Sequence, residues 1–89
     1  MRAIVTVIGK DRVGIIADVC ALLSARQVNI LDISQTILQG YFTMIMLVDT
    51  DRCSIPFVEL SRELSDAGEA SALSIRIQRE DIFNAMHRI

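Results

Sequence analysis

At 89 residues, 52% of them hydrophobic and 22% charged, the chain is the size of one domain with a single core (1–89), and its mean hydropathy of +0.43 implies apolar surface that a second subunit would cover. A formal net charge of −2, a pI near 5.2 and arginines scattered along the chain exclude the basic face of a nucleic-acid binder. No apolar run reaches membrane-spanning length, and the opening Met-Arg-Ala-Ile-Val-Thr-Val-Ile alternates like a strand rather than a signal peptide, so a cytoplasmic homodimer away from membranes is expected.

Arg2 to Ile8 sets Ile4 and Ile8 on one side and Ala3, Val5 and Val7 on the other, the pattern of a central strand apolar on both faces. Gly9 then suits a sharp exit. Asp11 is expected to cap a helix in which Ile15, Ile16, Val19, Cys20, Leu22 and Leu23 recur at helical spacing over about three to four turns, with Gly14 in its first turn. A missing side chain there would let a small carboxylate approach the free amides at the positive end of the helix. Asp-x-x-Gly before a helix is also ordinary capping chemistry, and both readings stand at this point. Nucleotide loops are excluded more firmly. Gly9-x-x-x-x-Gly14 has the front half of a phosphate loop, but Ile15-Ile16 stands where Lys-Ser/Thr is required.

Val28 to Leu38 reads as a second strand in which neither phase of alternation is clean, and a bulge would reconcile them. Gln39-Gly40 suits a tight hairpin turn. A third strand, Tyr41 to Val48, puts Phe42, Met44, Met46 and Val48 on one side and Tyr41, Thr43, Ile45 and Leu47 on the other. Tyr41-Phe42 is packing material rather than a base-stacking platform, because the glycine and basic residues of an RNA-binding strand are missing. After a polar loop, Ser54 or a neighbour opens a second helix with Pro56 in its first turn, Phe57, Leu60, Leu64 and Ala67 as its buried stripe, and Gly68 as its stop. Leu73 to Arg79 alternates cleanly as a fourth strand. The tail from Glu80 to Ile89 carries Ile82, Phe83, Met86 and Ile89 on one helical stripe and should dock on the body or on a second subunit.

The order strand, helix, strand, strand, helix, strand over 1–79, followed by a short helix over 80–89, predicts an α+β, ferredoxin-like βαββαβ sandwich with strands 1 and 3 central. Other residues invite smaller roles. Cys20 and Cys53 form no C-x-x-C pair and lack neighbouring histidines, so neither a metal nor a redox site is expected; Cys20 reads as core and Cys53 as a loop thiol. His87 has no nucleophile partner at a telling spacing. Glu80-Asp81 reads as the acidic start of the tail helix, Lys10 and Arg12 as solvated loop charges, and Met44 and Met46 as core.

Taken together, Gly9-Lys-Asp-Arg-Val-Gly-Ile-Ile, Val28-Asn-Ile-Leu-Asp-Ile33, Tyr41-Phe-Thr-Met44 and the ending Arg79-Glu-Asp-Ile-Phe-Asn-Ala-Met-His-Arg-Ile89 resemble an ACT domain. The resemblance is to the family of small stand-alone ACT-domain proteins of uncharacterised function, related to the ACT modules of the glycine cleavage system transcriptional repressor. It implies side-by-side or stacked assembly and an amino-acid-like ligand held between the loop after strand 1 and strand 2 of a partner. On that basis Asp11, Arg12, Val13 and Gly14 form the loop side of a ligand site and Asn29, Ile30 and Asp32 its strand side. Amides of the Val13–Gly14 turn would hold a carboxylate, Asp32 would pair with an ammonium, and Asn29 would fix orientation. Val13 departs from the pattern, since many ACT loops carry proline before the glycine. The implied function is a regulatory sensor without cofactor that signals to a protein target. The alternatives are a purely structural dimerisation module, or a small acylphosphatase-like hydrolase using Arg12 and Asn29.

Overall fold

The computed structural model describes residues 1–86, with side chains described as far as Asn84. His87 and Ile89, and the expectations attached to them, lie outside the described residues, as does the side chain of Met86. The elements run β1 (Arg2–Lys10), α1 (Ile15–Ala25), β2 (Asn29–Leu38), β3 (Tyr41–Asp49), α2 (Phe57–Ala70), β4 (Leu73–Arg79) and α3 (Glu80–Met86). The strands form one antiparallel sheet in the order β2-β3-β1-β4. This is the expected ferredoxin-like sandwich, with β1 and β3 central.

Alternation decides which face is covered. Ala3, Val5 and Val7 of β1, Phe42, Met44, Met46 and Val48 of β3, and Leu73, Ile75 and Ile77 of β4 all point to the helices, where Ile15, Val19, Leu23, Leu60 and Leu64 meet them. Each large side chain so buried contributes roughly 1.5 to 3 kcal/mol before entropy is counted. Cys20 and Cys53 are partly buried against this core. The two helices are also tied at the surface, where the Arg26 guanidinium donates to Glu63 Oε1 at 2.6 and 3.0 Å. That carboxylate, by hydrogen bond and then by charge, raises the pKa of Arg26 above the ordinary guanidinium value.

Several local expectations need correction. β1 runs through Gly9 to Lys10, pairing with Phe42 and Tyr41, so Gly9 is no turn residue. Its bare Cα accommodates a neighbour instead: a Cβ there would fall 2.4 Å from Leu73 Cδ2. Asp11 does not cap α1. The N-cap is Gly14, in the left-handed region at φ 91°, with no side-chain hydrogen bond. Pro56 holds the N-cap position of α2 rather than its first turn. Gly68 does not stop α2, which continues to Ala70; a Cβ on Gly68 would lie 2.7 Å from the Leu73 carbonyl oxygen, so its role is the close approach of helix and strand. The expected bulge in β2 is present between Ile30 and Asp32. Gln39 and Gly40 both have positive φ, 51° and 81°, as the tight primed turn of a two-residue hairpin requires.

Candidate functional site

The sequence Lys10 to Gly14 crosses from the end of β1 to the start of α1, and one backbone bond fixes its path: the Asp11 N–H donates to the Gly40 carbonyl at 2.8 Å. The loop is thereby fastened to the β2–β3 turn. At its tip Val13 is 98% exposed. Arg12 folds back, both guanidinium nitrogens reaching Asp18 Oδ2 at 3.3 Å and one reaching the Val13 carbonyl at 3.1 Å. The space around Gly14 is open: a Cβ there would meet an Arg12 guanidinium nitrogen at 3.8 Å and no other atom within 4 Å. Its glycine is demanded by the backbone angle, not by crowding.

Helix geometry then supplies donors. The first bond within α1 runs from the Asp18 N–H to the Gly14 carbonyl at 2.9 Å, so the N–H groups of Ile15, Ile16 and Ala17 have no helical acceptor. They open on a cavity of 500 Å³ bordered by Asp11, Arg12 and Gly14 from the loop, by Ile15, Ile16 and Ala17, and by Gln35, Ile37 and Phe42 across the gap. Free amides at the positive end of the helix favour a carboxylate, and the isoleucines and Phe42 favour an apolar body beside it. Gln35 adds an amide that donates and accepts. Sequence reasoning missed Gln35, Ile37 and Phe42 as part of this site. The available signal was the bulge, which sets Gln35 and Ile37 opposite Met44 and Phe42 and so on the helix side of the sheet.

The strand-side residues lie elsewhere in the same protomer. Asn29 pairs with Asp49 at the opposite end of β2 and borders a separate polar recess of 480 Å³ with Gln27, Asp49, Asp51 and Arg52. It stands roughly 20 Å from Gln35, taking about 3.3 Å for each residue of strand. Ile30 packs on the core. Asp32, just past the bulge, pairs with Leu47 on the face away from the helices, and its Oδ1 accepts the Ile33 N–H at 2.9 Å. The structure therefore brings Asp11, Arg12 and Gly14 together at one cavity and leaves Asn29, Ile30 and Asp32 apart from it. Among the described residues, no group of three or more His, Cys, Asp or Glu side chains is placed to hold a metal ion, and no helix is long and apolar enough to cross a membrane.

Known proteins share this fold. A family model for the ACT domain matches residues 2–78. A UPF0237 protein from Clostridium acetobutylicum is 54% identical over 89 residues, 100% of each chain. An ACT domain protein from Streptococcus pneumoniae has the same fold at a TM-score of 0.83, with 42% identity and 98% of each chain covered. A structure assigned to a glycine cleavage system transcriptional repressor matches at a TM-score of 0.71 over 86% of this chain and 44% of its own; at 23% identity that likeness concerns the fold alone.

Proposed function

The chain belongs to the ACT-domain family, and from that premise we propose that it is a regulatory module whose homodimer binds an amino acid or related small acid and passes occupancy to a partner protein. The observation that carries this reading is the split site. A donor-lined cavity lies at one end of β2, the polar residues Asn29 and Asp32 lie toward the other, and among the described residues no strand pairs with the outer edge of β2. Two copies joined antiparallel through β2, about its middle, would set Ile33 of the partner subunit against Gln35 and carry Asn29 of the partner subunit toward the loop. Each of the two cavities would then be completed from across the two-fold.

The amides of Ile15 to Ala17 would take the carboxylate and Arg12 would add charge once released from Asp18, while Asp32, directed to the other face of the sheet, would stay outside this cavity. The hydrolase alternative loses its geometry within one protomer, because Arg12 and Asn29 stand at opposite ends of β2. Cytoplasmic operation without a cofactor remains part of the proposal.

The test is complementation in a thermal-shift and calorimetric screen against amino acids and small carboxylic acids. A ligand at a hundred times its Kd adds about 2.7 kcal/mol, a rise of about 10 °C or more for a domain this small. Ala17→Glu, an exposed helix position, fills the anion seat with a carboxylate; Asn29→Ala removes the strand contact. Neither variant alone should bind. Mixed and allowed to exchange, half of the dimers become hybrids with one intact site of two, so about a quarter of the binding capacity returns. No recovery places the whole site within one protomer, and no shift with any compound for the parent chain leaves a purely structural dimer.

A further inference from the structure

The face of the sheet turned away from the helices carries a recess of its own. Residues of β1, β3 and β4 line up there in rows: Ile8 lies between Thr43 and Ser74, and Thr6 between Ile45 and Arg76. The chain leaves β4 and turns at once into α3, which sets Phe83 over this face and encloses 540 Å³ with Thr6, Ile8, Ile45, Ser74 and Arg76. That volume lies in the range of small-molecule pockets, about 300 to 1,000 Å³.

Its chemistry is two-sided. Ile8 and Ile45, 47% and 43% exposed, make an apolar floor that the fold itself leaves uncovered, and Phe83 makes an aromatic wall. Ser74 and Thr6 add hydroxyls at the rim. Arg76 contributes the positive charge, and among the described residues it has no ion-pair partner. The acids of α3 are engaged elsewhere: Glu80 with Arg2 at 2.9 Å and Asp81 with Arg79 at 2.9 Å. Across the row from Arg76 stand Thr6 and Ile45, which carry no charge.

We propose that this recess binds a small monocarboxylate with an aromatic or branched aliphatic body, at a site separate from the loop cavity. The planar guanidinium of Arg76 pairs with the carboxylate in two parallel hydrogen bonds, the Ser74 hydroxyl donates to it, and the body lies on Ile8 and Ile45 under Phe83. A phosphate fits poorly, since a dianion facing one guanidinium and an apolar floor loses more hydration than it regains. The proposal does not depend on what the loop cavity holds.

Phenylacetate and its uncharged counterpart phenethyl alcohol, titrated into the full chain while backbone amide chemical shifts are followed, provide the test. Phenylacetate is expected to move Thr6, Ile8, Ile45 and Ser74 saturably. The alcohol, and the acid with Arg76→Gln, should bind about tenfold more weakly, as befits the loss of one charge-assisted pair. Phe83→Ala should weaken acid and alcohol alike, while Ala17→Glu should change neither. Arg76 is exposed, and the amide spectrum of each variant reports directly whether it folds. The proposal is overturned by the absence of saturable shifts, by shifts that map to residues 11–17, by equal affinity for acid and alcohol, or by an Arg76→Gln chain that binds the acid as the parent does.

Discussion

The sheet has two edges, and they are built to opposite specifications. β4 is seven residues long, alternates without error and lies beneath α2, so that Ile75 is 6% exposed. β2 is ten residues long, is interrupted by a bulge, and leaves Ile33 and Ile37 at 40% and 56% exposure although both point to the helix side of the sheet. One edge is finished within the protomer. The other strand, an edge like β4 in its outer backbone groups, leaves apolar side chains on its helix-side face uncovered.

The largest expected effect tests how tightly the finished edge is closed. Gly68→Val drives a side chain into the Leu73 carbonyl and should cost more than about 4 kcal/mol, enough to leave a domain of this size largely unfolded by circular dichroism. A variant that melts with the parent would show that α2 and β4 can part without loss. Next comes a matched pair of truncations. Ile75→Ala should lower unfolding free energy in urea by about 2 to 5 kcal/mol, and Ile37→Ala by less than about 1 kcal/mol measured at concentrations where the chain is monomeric. Sedimentation should reverse the ranking, with Ile37→Ala shifting the chain toward monomer. Equal costs for the two would erase the contrast. The smallest effect sharpens it. Gln27 and Ala72, the residues leading into β2 and β4, both hold positive φ, at 60° and 58°. Replacing either with glycine should stabilise by about 0.5 to 1 kcal/mol in thermal melts, and similar gains at both would confine the difference to the edges themselves.

The same contrast explains what could be read from residues alone. Where a strand is covered on one face by its own chain, as in Leu73, Ile75 and Ile77, periodicity reports burial directly. In β2 the extra residue at the bulge, Leu31, reverses the phase near the start of the strand, so Asn29–Ile30 and Asp32–Leu38 alternate out of step and the sequence shows no single inward face. The first helix misled for another reason. An aspartate three residues before Gly14 has the form of a cap, but a glycine with left-handed backbone angles can end the loop without any side-chain acceptor. The site was half visible. Its loop announced itself by glycine and charge, while Gln35 looked like one polar residue on a strand until the register placed it across from the start of α1.

The bulge has a bearing on how such a chain stays out of aggregates. A long outer strand carrying Leu31, Ile33, Ile37 and Leu38 on its surface is the kind of template on which copies add without limit, each new strand offering an edge like the last. Leu31 is the residue with no counterpart on β3, and it bends the strand so that a straight newcomer keeps step with only one side of the irregularity. A second copy related by a two-fold axis brings a matching bend, and once the two are joined both sticky margins are consumed. In such a pair the irregularity that blurred the pattern would work as a stop on fibril growth, favouring a closed pair over a ribbon.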